Sequence, residues 1–334
     1  MSNFMYDRER ERHETVIKLL DASNETRQQL IEEYRKRSEQ AYAPNTLKNY
    51  KRIIALFSKW CVENGYSSTP PVSAHVLIEY IDYLGGKVKA STIECRLWAI
   101  GEMHRAEFVM SPCRHRLVEL AVKGVKRKYG AACRQAPPLG KKDVLEVIKS
   151  LDDSRQGLRD KALLWIASDS WCRASEICAL KVNDLIRQDD GSSLLFVSRS
   201  KTDPYGKGDF AFLSERGTKA ALRWIEIAEL KADGPLLTKA QKNSLKTHMD
   251  PATISRIMKR CTGRKDISSH STRVGGVQDA FRIGCDISSI MVAGRWSSPA
   301  MPALYGRKIL ASQSAAAQVS AAFSEPEESP SSSG

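Results

Sequence analysis

The sequence predicts a mainly α-helical protein with an all-α amino-terminal domain and a mixed α+β carboxyl-terminal domain that contains a small antiparallel sheet. The chain has 334 residues, which is more than one compact core usually holds. Apolar residues recur at helical spacing through most of its length. Two segments that alternate in a β-like way flank the turn sequence KTDPYGKG at residues 201–208, which is typical of a hairpin.

The amino-terminal half divides into an arm and an all-α domain. Residues 1–40 are densely charged and helix-prone, and we interpret them as an accessory arm. The helix predicted next has an apolar face, which includes Ile53, Phe57 and Trp60, while its basic residues lie elsewhere on the helix. The all-α domain is predicted over 41–130, with helices near 45–61, 76–84, 92–108 and 114–128.

A basic linker, 131–140, is predicted between the two domains because it contains a Pro-Pro-Leu-Gly break. The second domain is predicted over 141–323, with two strands at 194–198 and 209–213. Its predicted helices cover 141–151, 158–168, 216–231, 251–261, 271–283, 286–294 and 311–323. The tail 324–334 is acidic and rich in Ser and Pro, so we expect it to be disordered.

Composition excludes some classes of protein and favours a polyanion partner. With 27% charged residues, the chain leaves no apolar stretch long enough to cross a bilayer, and its amino terminus does not resemble a secretory signal. We therefore expect a cytoplasmic protein that does not contact membranes. The net charge is +13, of which +8 lies in residues 41–134 and +9 in 135–323. Such a surplus suits binding to duplex DNA, although a merely basic soluble protein remains an alternative on charge alone.

The sequence indicates neither a metal nor a nucleotide cofactor. Its eight cysteines show no paired CxxC spacing, and no cluster of Cys and His has zinc-ligand spacing. The phosphate-binding patterns GxxxxGK[ST] and GxGxxG do not occur. We therefore expect no cofactor and no metal site.

Five short motifs in the second domain carry candidate chemistry. Each is ordinary by itself, since Arg173 and Glu176, for example, have the spacing of a surface ion pair on a helix. The motifs are WCRASEICAL (171–180), SRSKTD (198–203), SSHSTRVGG (268–276), AGRW (293–296) and ALYGRK (303–308). Together they supply what a metal-free enzyme needs to cut a phosphodiester, namely Arg173, Lys201, His270, Arg273, Trp296 and Tyr305.

Several of these side chains have the chemistry that one step of such a reaction requires. Tyr305 can form a covalent ester once nearby cations favour its phenolate. Arg173 and Arg273 can grip the non-bridging oxygens of a phosphate and offset the charge of the transition state, because a guanidinium keeps its proton and binds in planar, bidentate fashion. A flexible ammonium at a hairpin tip can protonate the departing 5′ oxygen, which makes Lys201 the candidate acid.

On these motifs, residues 41–323 resemble the tyrosine recombinases, also called phage integrases. The pattern is RxSE at Arg173, a Lys 28 residues later, HSxRVG at His270, GRW at Trp296 and a Tyr nine residues after that Trp. A Trp at this position is typical of the Cre-like branch of the family. By the resemblance, the active-site residues are Arg173, Lys201, His270, Arg273, Trp296 and Tyr305, with Glu176 as their acidic partner.

The resemblance also implies a C-shaped clamp, with the all-α domain on one face of duplex DNA and the catalytic domain on the other. The helix at 45–61 then lies in the major groove, and the basic linker runs across phosphates. Target sequence should differ within the family, since Ala252 stands where a base-reading Arg is expected. The candidate DNA-binding residues are Thr46, Lys48, Asn49, Lys51, Arg52, Lys87, Lys89, Arg96, Lys126, Arg127, Lys128, Thr253, Arg256, Lys259 and Arg260.

The function that the resemblance implies is site-specific DNA recombination at inverted half-sites, through a 3′-phosphotyrosyl intermediate and a Holliday junction. Two protomers are expected at each site and a homo-tetramer on the paired sites, with the helix near 311–323 inserted into a neighbouring protomer. A bacterial, phage or plasmid origin and a place in the nucleoid follow from the family. Two alternatives remain, a type IB topoisomerase and a non-catalytic DNA-binding regulator.

Overall fold

The computed structural model describes residues 24–132, 135–200, 203, 205–240 and 249–323. By its contacts the chain divides into two compact units, Met1–Cys133 and Arg134–Gly334. The described residues are mainly helical and contain one three-stranded antiparallel sheet, which confirms the predicted fold class. Lys201, the first half of the arm and the tail 324–334 lie outside the described residues.

The first unit is all-α in its described part. Its core is formed by aromatic and aliphatic side chains of successive helices, among them Phe57, Tyr80 and Ile100. The helices are α1 (Asn24–Ala41), α2 (Pro44–Glu63), α3 (Ala74–Leu84), α4 (Ala90–Ala106) and α5 (Arg116–Tyr129), with a 3-10 turn at Pro112–Arg114 before the last. The Ser73 hydroxyl caps α3 by accepting the Val76 N–H.

The arm contacts this unit through its second half. In α1, the Tyr34 hydroxyl donates to Oε2 of Glu102 over 2.9 Å. The Arg27 side chain donates to the main-chain oxygen of Glu107 over 3.2 Å, and the Tyr34 ring packs edge-on against Phe108. The helix α1 therefore packs against α4.

The second unit combines nine helices with the sheet, counted over its described residues. The central strand β2 pairs with both neighbours, and Leu195 on it lies opposite Leu185 and Ala211. The strands are β1 (Leu185–Arg187), β2 (Ser193–Val197) and β3 (Asp209–Leu213). The helices are α6 (Lys141–Ser150), α7 (Arg155–Ser170), α8 (Ala174–Ala179), α9 (Glu215–Ala228), α10 (Pro251–Thr262), α11 (Ser271–Arg282), α12 (Ile287–Gly294), α13 (Ala300–Ser312) and α14 (Ala315–Ala322).

Two apolar clusters organise this unit and set the position of the candidate site. The larger surrounds α7, whose Leu163, Leu164 and Ile166 are fully buried. The smaller joins α11, α12 and α13 through Phe281, Ile290 and Tyr305. Motif residues belong to both clusters, Cys172 and Ile177 to the larger and Val274 and Tyr305 to the smaller.

Three of the described helices and strands were not among those predicted from the sequence, namely strand β1, the six-residue helix α8 and helix α13. Strand β1 has only three residues, too few for a clear alternation. Helix α13 contains Pro302 and Gly306, which weaken a helical pattern. Pro302 lies in the first turn, where its missing N–H is not needed. Gly306 packs so closely that a Cβ would lie 2.2 Å from the Phe281 ring, so a glycine is required there.

Candidate active site

Arg173 and Glu176 are joined where α7 turns into α8. The main-chain N–H of Arg173 donates to Oε2 of Glu176 over 2.9 Å, and its Nη1 donates to Oε1 over 2.7 Å. A glutamate at the third position of a helix commonly caps the helix in this way. The sequence pattern RxSE thus fixes Arg173 at the start of α8.

Arg273 lies in α11 and is 1% exposed. Its two terminal nitrogens donate to the main-chain oxygens of Trp171 and Gly294, and its guanidinium carbon lies 4.0 Å from the centre of the Trp296 ring. Burial, together with the charges of Arg173 and Arg295, lowers the pKa of Arg273 to about 10. The group remains a cation at pH 7, held rigidly by fixed partners.

Tyr305 and His270 form the centre of the site. The Tyr305 hydroxyl lies 2.7 Å from Nε2 of His270, and the two rings meet edge to face. Helix α13 carries Tyr305, whose main-chain oxygen accepts hydrogen bonds from the side chains of Gln135 and Gln278 over 3.3 and 3.1 Å. The phenol and the imidazole are therefore in direct hydrogen-bonding contact.

The protonation states of this pair follow from their surroundings. Burial raises the pKa of Tyr305 above its usual value of 10, although the charges of Arg273 and Arg173 oppose the change. Burial and the same two charges lower the pKa of His270 below 6.5. At pH 7 Tyr305 is thus a phenol and His270 a neutral imidazole in the free protein. The two arginines alone do not produce the phenolate that the sequence argument invoked.

Trp296 packs between these groups because glycines make room for the rings. Its ring centre lies 5.9 Å from that of Tyr305 and 6.5 Å from that of Trp171. A Cβ on Gly294 would lie 1.7 Å from the Trp296 ring, and one on Gly276 would lie 2.2 Å from Trp171. Gly294 of the GRW motif and Gly276 of the RVGG motif are therefore explained by close packing.

Arg295 is part of the site, but the sequence argument did not include it. Its Nη2 donates to Oε2 of Glu176 over 2.8 Å. Burial raises the pKa of Glu176, but hydrogen bonds from Arg173 and the charge of Arg295 outweigh that effect and bring the pKa below its usual value. The signal was present as the Arg of GRW, next to Trp296, but an isolated Arg before a Trp has no distinctive spacing.

The structure brings six of the seven predicted catalytic residues into one cluster. They are Arg173, Glu176, His270, Arg273, Trp296 and Tyr305. Lys201, the seventh, lies outside the described residues, so its prediction stays a prediction. Tyr205, the other tyrosine close to the motifs, is 91% exposed on the hairpin.

The candidate DNA-binding residues of the first unit lie at its surface. Arg52 bonds Asn49 on the same helix, Arg96 donates to the Tyr80 hydroxyl over 2.8 Å, and Lys126 pairs with Glu94. The residues exposed in this set are Lys48, Lys51, Arg52, Lys87, Lys89, Arg127 and Lys128, whereas Thr46, Asn49, Arg96 and Lys126 are partly buried.

The candidates on α10 differ from one another. Arg256 and Lys259 are exposed, and Arg256 donates to the Thr253 hydroxyl over 2.7 Å. Arg260 bonds the buried carboxylate of Asp160, which also accepts from Arg159. Arg260 therefore has a structural role in addition to any contact with a ligand.

The described residues contain no group of three or more His, Cys, Asp or Glu side chains with metal-binding geometry. A search of the same residues found no helix with the length and hydropathy of a membrane span.

Comparison with known families gives a direct result. The model of the phage integrase family matches residues 138–309, and that of the phage integrase N-terminal SAM-like domain matches residues 31–106. The chain belongs to the phage integrase family. The resemblance found in the sequence is thereby confirmed. The second match begins within the arm and ends at the close of α4.

Individual relatives agree with this family assignment. Recombinase cre of Escherichia phage P1 is 28% identical over 305 residues, which cover 83% of this chain and 87% of that protein. The XerD homologue of Selenomonas ruminantium, named an integrase/recombinase, is 28% identical over 300 residues, covering 84% and 86%. The match to cre agrees with the Cre-like character predicted from the sequence.

Solved structures share the fold. XerH site-specific recombinase bound to palindromic difH substrate has a TM-score of 0.58 at 16% identity, covering 75% of this chain and 72% of that one. A lambda integrase dimer bound to a core site has a TM-score of 0.53 at 14% identity, covering 82% and 93%.

Proposed function

We propose that this chain is a site-specific DNA recombinase that cuts and rejoins duplex DNA through a 3′-phosphotyrosyl intermediate. The observation that carries the proposal is the Tyr305 hydroxyl, 2.7 Å from a neutral His270 and influenced electrostatically by both Arg173 and Arg273. Membership of the phage integrase family and similarity to recombinases of the Cre and XerD type support it.

The cleavage step uses these groups in sequence. The Tyr305 oxygen attacks the scissile phosphorus while its proton passes to Nε2 of His270, which is free to accept because the imidazole is neutral. The bond from phosphorus to the 5′ oxygen breaks, and Lys201 supplies the proton to that oxygen. The products are a 3′-phosphotyrosyl ester and a free 5′ hydroxyl.

The two arginines stabilise the charge that develops on the phosphate. Arg273 is held by two main-chain oxygens and by the face of Trp296, and Arg173 by Glu176. Both are therefore oriented before DNA arrives, and little reorganisation is needed at the moment of reaction. Planar guanidiniums also match the non-bridging oxygens in a way that lysines do not.

Strand exchange then needs neither a metal nor ATP in this proposal. Attack of a 5′ hydroxyl from the second duplex on the phosphotyrosyl ester replaces one ester with another of similar energy. The arginines supply the charge stabilisation that metal ions give elsewhere. We expect cleavage in EDTA without nucleotide, and a strict metal requirement would contradict this part of the proposal.

Assembly is proposed as two protomers on inverted half-sites and four in the recombining complex, with a Holliday junction between the two exchanges. Helix α14 supports this, because none of its residues is buried and its apolar Val319 and the adjoining Phe323 are 57% and 84% exposed. Such a short helix gains stability by docking. A neighbouring protomer is its proposed acceptor.

DNA binding is proposed to use both basic units, which the linker 131–140 joins. The exposed basic residues of α2 support contacts to phosphates. A cytoplasmic location with access to the nucleoid belongs to the same proposal. The domain boundaries of the sequence prediction, at 40, 130, 140 and 323, are retained here as working limits.

The test is selection of bound duplexes from a random pool, followed by a covalent-adduct gel with the selected DNA. The proposal expects an inverted repeat with a short spacer and a denaturation-resistant protein–DNA band. Relaxation of supercoiled DNA without a preferred site would indicate a topoisomerase instead. Specific binding with no adduct on nicked or intact sites would indicate a DNA-binding regulator.

A further inference from the structure

Arg295 has a backbone conformation that suits glycine better than arginine. Its φ of 54° and ψ of 49° place it in the left-handed region, at the carboxyl-terminal cap of α12. A side chain in that region strains the backbone, and glycine would relieve the strain. Contacts of the Arg295 side chain must therefore compensate for its conformation.

Those contacts reach the segment that carries Arg173. The Arg295 side chain is 4% exposed. Its Nη1 donates to the Ser170 main-chain oxygen over 3.1 Å, and its Nη2 contacts Glu176 over 2.8 Å and the Cys172 sulfur over 3.3 Å. All three partners lie between the end of α7 and α8. Arg295 therefore connects the carboxyl-terminal end of α12 to the start of α8.

Glu176 is shared between the two arginines. Its Oε1 accepts from the Arg173 guanidinium, while its Oε2 accepts from the Arg173 main chain and from Arg295. A carboxylate that is 1% exposed is costly to ionise unless cations and donors surround it. Without Arg295, the Oε2 oxygen would keep only the main-chain donor, and the pKa of Glu176 would rise.

We propose that Arg295 is a positioning residue for Arg173, because it keeps Glu176 ionised and fixed so that Glu176 holds the Arg173 guanidinium in its phosphate-binding orientation. The inference rests on the proposed function, in which Arg173 binds the scissile phosphate. Arg295 itself does not contact DNA in this account. It acts only through Glu176.

The first test compares two substitutions to glycine at left-handed positions. Arg295→Gly removes the side chain and relieves the backbone. Glu229→Gly is the matched control, since Glu229 is exposed and caps α9 with a φ of 52°. On a nicked duplex carrying the selected site, we expect Arg295→Gly to form adduct about 10-fold or more slowly, with DNA affinity within about twofold of wild type. Glu229→Gly should react at the wild-type rate. A wild-type rate for Arg295→Gly would overturn the proposal.

The second test shows whether the effect passes through the charge of Glu176. Arg295→Gly should make the cleavage rate fall more steeply on the acid side of the limb that His270 sets, because the pKa of Glu176 rises without its second cation and its protonation adds to the loss. Arg295→Lys should leave the steepness of that limb unchanged, since the charge remains, while the rate still falls. In a Glu176→Gln background, Arg295→Gly should lower the cleavage rate little further than Glu176→Gln does alone. An undiminished loss in that background would show that Arg295 acts by another route.

A third measurement needs no DNA. In the wild type the folded-state pKa of Glu176 lies below its usual value, so its ionisation stabilises the fold above about pH 4.5 and this contribution is lost as the pH falls. The Tm of Arg295→Gly relative to wild type should therefore fall as the pH rises from about 4 to 7. A constant difference would overturn the inference. Absence of a wild-type adduct would count instead against the proposed function.

Discussion

The catalytic cluster and the basic face of α2 hold their positive charges in opposite ways. Arg273 and Arg295 are almost wholly buried, and each donates to fixed oxygens. Lys51 and Arg52 are exposed, and Arg52 bonds only a neighbour on its own helix among the contacts of the described residues. The buried charges are each held in one geometry by fixed acceptors, whereas the exposed ones are screened by salt. In the proposed reaction we therefore expect cleavage to depend on the first group and DNA affinity on the second.

The largest effect is expected from Tyr305→Phe, which removes the nucleophilic oxygen and leaves the packing of the ring in place. We expect complete loss of the covalent adduct and of strand exchange, with DNA affinity within about twofold of wild type. A filter-binding assay and an adduct gel measure the two quantities. Tyr205→Phe is the matched control, and it should retain the adduct. A persistent adduct in Tyr305→Phe would move the nucleophile elsewhere.

Truncation after Gln313 tests the exposed apolar helix α14, which contrasts with the exposed basic residues of α2. The deletion removes α14 but leaves α13, which carries Tyr305, intact. We expect binding to a single half-site to change little, while cooperative occupancy of the full site and recombination are lost. Gel-shift titrations on half and full sites measure this. Deletion of 324–334 alone is the control and should have no effect. Normal cooperativity without α14 would remove it as the coupling element.

Arg173→Lys and Arg273→Lys keep the charge but remove the planar guanidinium that can bind two phosphate oxygens at once. Because Arg273 is buried, Arg173 is partly buried and each is held by fixed acceptors, we expect the cleavage rate to fall by about 100-fold or more, with little change in half-site affinity. Single-turnover adduct formation measures the rate. Arg223→Lys is the control, since Arg223 is exposed and pairs with Glu226 on its own helix. A near-normal rate for either variant would exclude that arginine from phosphate binding.

The pH dependence of the cleavage rate tests the protonation states of the buried pair Tyr305 and His270. Because the pKa of His270 lies below 6.5, the imidazole can accept the Tyr305 proton at neutral pH and loses this capacity only in acid. Because the pKa of Tyr305 is raised, its ionisation adds nothing below about pH 9. We expect a rate that is flat from about pH 7 to 9 and that falls below about pH 6.5. An acid limb centred above pH 7 would contradict these assignments.

The smallest effect is expected from single exposed lysines. Lys51→Ala should weaken DNA binding by less than about 10-fold and reduce the slope of log K against log salt concentration by about 1, leaving the cleavage rate of bound DNA unchanged. Titrations at several salt concentrations measure this slope. Lys219→Ala, in an exposed ion pair with Glu215, is the control. A larger loss of catalysis than of affinity would contradict the division between the two regions.

The fold class and most helices were predictable because each amphipathic helix carries its own periodic signal. The motif residues were also predictable, since Arg173, His270 and Tyr305 have distinctive neighbours and order. Helix α13 was missed because Pro302 and Gly306 obscure its pattern. Arg295 was missed because its role depends on a contact with Glu176, which is 119 positions away in the chain. Local patterns do not record such tertiary contacts.

The pKa of Tyr305 was another property that the sequence could not provide. The sequence showed the cations that favour a phenolate, and the structure shows that burial has the larger effect. The balance between burial and charge depends on packing by Trp296 and His270 around the ring. Only the folded arrangement determines which effect is larger.

We expect Tyr305 in the buried cluster, and no exposed tyrosine, to be the nucleophile that cleaves DNA. The most direct test is peptide mapping of the covalent adduct, formed on a nicked duplex with the selected site and digested before mass spectrometry. We expect a nucleotide linked by its 3′ phosphate to Tyr305 in the peptide that contains ALYGRK. A nucleotide on Tyr205 or on any other residue would show that another side chain is the nucleophile.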